Sequence, residues 1–133
     1  MIPKEKIEQV NFVDLKAQYW SIASEIDAAM ADIVHNTAFI LGKGVSSFEE
    51  EFAHYCQAKY AVGVDSGTSA LEMALRAYGI GSGDEVITAA NTFIATALAI
   101  SYTGAKPVLV DIDPQTYNMD PNLLGDAISD KTR

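Results

Sequence analysis

Two short segments carry the residue types from which a site for a phosphorylated, planar molecule can be built. In Ala61-Val-Gly-Val-Asp-Ser-Gly-Thr-Ser-Ala-Leu71 an apolar run enters a turn of small residues and passes directly into an amphipathic helical pattern. The start of a helix leaves backbone N–H groups without partners and gathers about half a positive charge, so an anion set against Gly67, Thr68 and Ser69 gains hydrogen bonds and dipole stabilisation together. Gly67 lets a ligand approach the main chain, and the two hydroxyls add donors. The same residues also suit a purely structural role: Ser and Thr at such junctions are common caps, and Ser69-Ala-Leu-Glu72 has the spacing of a capping box. In the second segment, Thr88-Ala-Ala-Asn-Thr-Phe-Ile-Ala-Thr96, Phe93 stands at a helix opening, where its ring either lies over a flat ligand or fills space beneath the turn. Stacking contributes roughly 0.5–1.5 kcal/mol beyond burial, which orients a planar molecule without holding it unaided.

The remaining reactive side chains read as structural. Glu49-Glu50-Glu51 falls in a first helical turn, where carboxylates are stabilised by the dipole on a solvated face. His54 and Cys56 are two apart on a helix and point to different faces, which argues against a shared metal ion. His35 lies near a helix end that favours a cation, and Asp111 and Asp113 follow a strand, where carboxylates form turns. Gly63-Val-Asp-Ser-Gly67 lacks the three-glycine spacing of a dinucleotide-binding fingerprint.

These segments need elements to position them. Leu15, Tyr19, Ile22, Ile26, Met30 and Ile33 recur at spacings of three and four and predict a helix from Asp14 to His35 with one apolar stripe. A second helix is expected after Gly42-Lys-Gly44, capped by Ser46 or Ser47, with Phe48, Phe52 and Tyr55 on its buried side. From Tyr60 onward strands and helices alternate. The expected strands are Tyr60–Val64, Glu85–Thr88 and Lys106–Ile112; helices follow Ser66, Asn91-Thr92 and Asp120-Pro121, with Gly79 and Gly104 ending the first two. That alternation predicts an α/β domain with parallel strands, whose ligands gather at the strands' carboxyl ends. The turns at 66–69 and 91–93 both belong there.

The 133 residues suit a single domain, with a helical segment at 1–58 and an alternating strand/helix segment at 59–133, and no linker or repeat. Hydrophobic content of 49% with 20% charged residues is that of a globular chain. A net charge of −9, with only 9 Lys and Arg, opposes binding to nucleic acid or an anionic membrane surface. The single cysteine excludes an intrachain disulfide and suggests the cytoplasm. Met1–Val10 has scattered charge and no signal-peptide pattern, and the apolar run from Ile94 to Ile100 falls far short of the roughly 20 residues that span a bilayer.

Taken in order, Val13-Asp-Leu-Lys-Ala-Gln-Tyr19, Phe39-Ile-Leu-Gly42, Val45-Ser-Ser-Phe-Glu49, Ser66-Gly-Thr-Ser-Ala-Leu71, Gly83-Asp-Glu-Val-Ile87, Asn91-Thr-Phe-Ile-Ala95, Gly104-Ala-Lys-Pro107 and Val110-Asp-Ile-Asp-Pro114 resemble the N-terminal part of the DegT/DnrJ/EryC1/StrS aminotransferases. The resemblance covers almost the whole chain. It implies the N-terminal portion of the aspartate aminotransferase-like (fold type I) large domain, an incomplete, mostly parallel sheet flanked by helices. It also implies pyridoxal 5'-phosphate (PLP) as cofactor, with Gly67, Thr68 and Ser69 receiving its phosphate and Phe93 stacking on its ring. The implied activity is transfer of an amino group, typically from glutamate, to a nucleotide-linked keto sugar in nucleotide-sugar and polysaccharide biosynthesis, in a homodimer. Asp65 and Ala89 depart from the family's frequent Asn and Pro.

The family's Schiff-base lysine and the aspartate that pairs with the pyridinium nitrogen would lie beyond Arg133, so no catalytic residue is assigned among Lys4, Lys6, Lys16, Lys43, Lys59, Lys106 and Lys131. The chain by itself is then expected to be inactive, short of the middle of its sheet, and poorly stable as a monomer. Two other readings share these residues: a fragment of a related PLP- or PMP-dependent sugar dehydratase, and a non-catalytic phosphate-binding or subunit-pairing module.

Overall fold

Asp14 begins the first element because its carboxylate accepts the Ala17 amide at 3.0 Å, satisfying a donor of the first helical turn. The computed structural model describes residues 12–133, so the reading of Met1–Val10 lies outside it. Helix α1 runs Leu15–His35 and helix α2 runs Lys43–Tyr55. The stripe of α1 forms as its spacing predicts, yet the helix has no buried residue. On α2 the sequence reading needs two corrections. The cap is Gly42, not Ser46 or Ser47, so the helix starts several residues earlier. Phe48, Phe52 and Tyr55 are exposed, with only Ala53 buried. The rings lie against one another instead, Phe48 and Phe52 with centroids 5.5 Å apart.

The chain separates into two compact units, divided between Ala61 and Val62. The second unit holds helix α3 (Gly67–Ala77), strand β1 (Glu85–Ala89), helix α4 (Ile94–Tyr102), strand β2 (Lys106–Val110) and helix α5 (Pro121–Ala127). Gly79 and Gly104, with φ of 75° and 90°, stand just past the ends of α3 and α4, in the left-handed conformation that glycine adopts without a Cβ penalty. β1 and β2 pair in parallel with Ile87 opposite Val108, joined through α4. The core is small: Ala99 and Ile100 of α4, Ala105, and Val110 of β2.

Tyr60–Val64 is not a strand. A strand gains its backbone hydrogen bonds from a neighbour, and the described sheet contains only β1 and β2. The phase of their ladder follows from Lys106 N–H donating to the Asp84 carbonyl and Ala90 N–H donating to that of Val110. Even-numbered residues of β1 therefore face β2, and odd-numbered ones face the opposite edge. On that edge Glu85 donates to the Lys131 carbonyl at 2.8 Å and accepts from the Arg133 amide at 3.0 Å, a parallel bridge centred on Thr132. Residues 131–133 thus start a third line of pairing on the edge of β1 away from β2.

Candidate functional site

Ser66 is extended (φ −159°, ψ 161°), and its hydroxyl oxygen accepts the Ser69 amide at 3.2 Å. The cap of α3 is therefore Ser66, and the capping box predicted from Ser69 does not form. Within the first turn, Ser69 N–H is taken by Ser66 and Ala70 N–H donates to the Ser66 carbonyl at 3.0 Å. The Gly67 and Thr68 amides have no partner among the described residues. A Cβ added at Gly67 would meet nothing within 4 Å, so the approach to those amides is open. The Thr68 and Ser69 side chains stand half-buried beside them. This start of α3 therefore offers two open amides to an anion, with the Ser69 hydroxyl 3.1 Å from that of Ser66.

Phe93 is the cap residue of α4 and is 77% exposed, so its ring is not packed into a core among the described residues. The turn before it is pinned residue by residue. Ala90 N–H donates to the Val110 carbonyl at 2.8 Å, the Asn91 side-chain amide to the Tyr117 carbonyl at 3.2 Å, and Thr92 N–H to the Ala89 carbonyl at 3.2 Å. The Thr92 and Thr96 hydroxyls lie 2.9 Å apart. An exposed ring on an anchored turn is a displayed flat surface.

Each half-site lies at the amino end of its helix. α3 and α4 pack side by side, and the Arg76 guanidinium near the end of α3 donates to the carbonyl of Tyr102, the last residue of α4. The two helices are thus tied at their carboxyl ends, and Gly67 and Phe93 stand equally many residues upstream of that tie. Phe93 also follows β1 by one short turn, which puts the start of α4 at the strand's carboxyl end. An apolar cavity of about 240 Å³ lies farther along the same helices, among Leu71, Leu75, Val86, Thr96 and Ile100. It includes none of Gly67, Thr68, Ser69 and Phe93, and is a packing gap between the helices and β1.

Three cations of the second unit are committed to carboxylates elsewhere. Arg76 pairs with Glu72 at 2.8 Å, Lys106 with Glu85 at 2.9 Å and Arg133 with Asp84 at 3.5 Å. Asp65, two residues before α3, is exposed and has no ion-pair partner among the described residues. The perturbed carboxyls are structural. Ser129 and Lys106 hold Glu85 below its ordinary range, and the backbone amides of Thr116 and Gln115 do the same for Asp113. Among the described residues no cluster of His, Cys, Asp and Glu is placed to hold a metal ion, and no helix is long and apolar enough to cross a membrane.

Sequence reasoning placed Ser66 and Asn91 at helix-opening turns without assigning their bonds. A serine three residues before Ser69 was a usable signal for the cap. Nothing local marked the bond of Asn91 to Tyr117, whose carbonyl lies 26 residues away.

Comparison with known proteins places these features in a lineage. The model of the DegT/DnrJ/EryC1/StrS aminotransferase family matches residues 20–133. The chain is 45% identical over 133 residues to dTDP-3-amino-3,4,6-trideoxy-alpha-D-glucose transaminase of Streptomyces venezuelae, covering 100% of this chain and 35% of that protein. It is 44% identical over 124 residues to UDP-2-acetamido-2-deoxy-3-oxo-D-glucuronate aminotransferase of Pseudomonas aeruginosa, covering 93% and 34%. Among solved structures, S. venezuelae DesV in complex with a ketimine intermediate superposes with a TM-score of 0.89 and 47% identity, over 94% of this chain and 34% of that one. NtdA of Bacillus subtilis with bound cofactor PMP superposes with a TM-score of 0.90 and 31% identity, over 98% and 30%. The chain spans about a third of the length of the relatives it matches.

Proposed function

Because this chain belongs to the DegT/DnrJ/EryC1/StrS aminotransferase family, we propose that it supplies the phosphate and ring contacts for pyridoxal 5'-phosphate in a nucleotide-sugar aminotransferase. The observation that carries this reading is a pair of partnerless amides, Gly67 and Thr68, at the open start of α3, together with the exposed ring of Phe93 at the start of the helix packed beside it. A phosphate needs donors with an open approach, and a pyridine ring needs a flat neighbour; this chain offers one of each. The amino acceptor would be a nucleotide-linked keto sugar and the donor typically glutamate, in a homodimer.

When bound, pyridoxal phosphate supplies an electron sink for charge developing at the amino-bearing carbon. The part played by this chain is to hold and orient. The Gly67 and Thr68 amides, with the Thr68 and Ser69 hydroxyls, fix the phosphate, and Phe93 fixes the plane of the ring. The lysines of this unit stand elsewhere. Lys106 begins β2 and pairs with Glu85, the first residue of β1, and Lys131 accepts from the Glu85 amide through its carbonyl. Both are a strand length, about 16 Å, from the end where Phe93 stands. That separation gives neither Lys106 nor Lys131 the place of the covalent lysine.

Titration with pyridoxal phosphate, followed by its absorbance and by competition with inorganic phosphate, tests the reading. The expected result is competitive binding that weakens for pyridoxal phosphate, and not for phosphate, in Phe93→Ala. Binding that ignores phosphate, or a Phe93→Ala variant that binds pyridoxal phosphate as the parent does, overturns it.

A further inference from the structure

Tyr117 occupies the left-handed region at φ 59°, a conformation that bulky side chains rarely adopt. Its side chain is 69% exposed and gives no packing reason for the strain. What the conformation achieves is the placement of a carbonyl: the Tyr117 oxygen accepts the Asn91 side-chain amide. The loop that holds Tyr117 there is heavily cross-braced. One Asp113 carboxylate oxygen accepts the Gln115 and Thr116 amides at 2.7 and 2.9 Å, and Tyr117 N–H donates to the Asp113 carbonyl at 2.9 Å. Asp113 N–H donates to the Asn118 carbonyl at 2.9 Å and Asp120 N–H to that of Asp111 at 3.0 Å, closing an antiparallel bridge between Ile112 and Met119.

A strained residue persists only where its surroundings over-determine it, and such residues gather at sites that need pre-organisation. Here the braced loop ends in one outward bond, to the turn that presents Phe93. Ala90 and Thr92 are held by their backbone, Thr92 also by its hydroxyl to that of Thr96 within the same turn; Asn91 is held through its side chain to the 111–120 loop. We propose that Asn91 is a positioning residue: through the Tyr117 carbonyl it locks the 90–93 turn against the 111–120 loop and so fixes the attitude of the Phe93 ring. The inference rests on the cofactor reading given above, since the ring's attitude matters only to a planar ligand. An amide at position 91 is needed because it donates; a carboxylate of the same shape would face the carbonyl with a second acceptor.

Asn91→Ala and the isosteric Asn91→Asp test this with two probes, pyridoxal phosphate and inorganic phosphate, and with hydrogen exchange of the backbone amides. Both variants are expected to lose roughly three- to tenfold in affinity for pyridoxal phosphate, the range that stacking supplies. Their affinity for inorganic phosphate stays within about twofold, because the α3 amides are untouched. Exchange accelerates at 91–93 and not in α3. Tyr117→Gly keeps the carbonyl and relieves the strain, and binds pyridoxal phosphate as the parent does. Parent-like affinity and exchange in both Asn91 variants, or equal losses for the two probes, overturn the proposal. If the parent binds no pyridoxal phosphate, the cofactor reading fails by itself. The exchange data then decide the lock, and unchanged exchange at 91–93 refutes it.

Discussion

Replacing Gly67 with proline separates the two roles that the start of α3 plays. Gly67 is the first residue of the helix, where a proline is favoured because its missing N–H has no intrahelical partner and its φ near −65° is helical. The preceding residue must be extended for a proline to follow, and Ser66 already is, at φ −159° and ψ 161°. A Cβ at position 67 meets nothing within 4 Å. The helix should therefore persist, with stability raised by about 0.4–1 kcal/mol through a more restricted unfolded chain. The anion site, however, loses one of its two partnerless amides. A hydrogen bond to a charged group contributes about 1.5–3 kcal/mol, so affinity for inorganic phosphate and for pyridoxal phosphate should fall by roughly 10- to 150-fold. Gly67→Ala keeps the N–H and should bind within about twofold of the parent. Calorimetric titration gives the affinities, and circular dichroism during urea unfolding gives the stability. A proline variant that retains its helix and binds phosphate like the parent would show that the Gly67 amide is not a ligand, and the α3 site would fall with it.

Two further expectations come from charge. Asp65→Asn should tighten pyridoxal phosphate binding by roughly threefold at low ionic strength and less in ~0.15 M salt, since it removes an exposed like charge just upstream of the anion site; an unchanged or weaker affinity would place that carboxylate away from the ligand. The Glu85 carboxyl is held below its ordinary value of 4.5 first by the Ser129 hydroxyl and then by the Lys106 ammonium. A lowered folded-state value means that the folded state favours the ionised form, so this cluster's contribution is complete above about 4.5 and fades as pH falls through the folded value. Amide exchange at 131–133 should accelerate over that acidic window in the parent, and Glu85→Gln should be fast already at neutral pH with no such step.

The sequence made legible whatever depended on near neighbours. The bounds of α1 and α5 follow from Asp14 and from Asp120-Pro121, whose side-chain caps both form. The glycines past α3 and α4 end those helices as their type predicts. What failed depended on partners distant in the chain. Tyr60–Val64 has the composition of a strand, but composition does not provide an adjacent strand. The rings of α2 have the periodicity of a buried face and nothing described that covers them, and α1 buries no residue for the same reason. Phe93 was legible as one of two alternatives because both a stacking ring and a core ring open a helix in the same way; only its exposure separates them. Asn91 was illegible because its role is a contact with the backbone of a residue held in place by another loop.

For an acidic chain, binding a phosphate would pose a particular physical difficulty, and the site proposed at the start of α3 would be one way round it. A net charge of −9 repels an anion at long range, and the cations of the second unit that pair with carboxylates are directed to Glu72, Glu85 and Asp84. Backbone amides and hydroxyls act within hydrogen-bond range and add no titratable group, so they attract where the ligand seats without altering the surface charge. Salt should then strengthen binding by screening the repulsion, opposite to its effect on a lysine- or arginine-built site. It also follows that orientation cannot come from ion pairs. A phosphate held by two amides can pivot, and the second constraint on the ligand has to be a surface. Under the proposed reading Phe93, exposed on a turn braced at three successive residues, would be that surface.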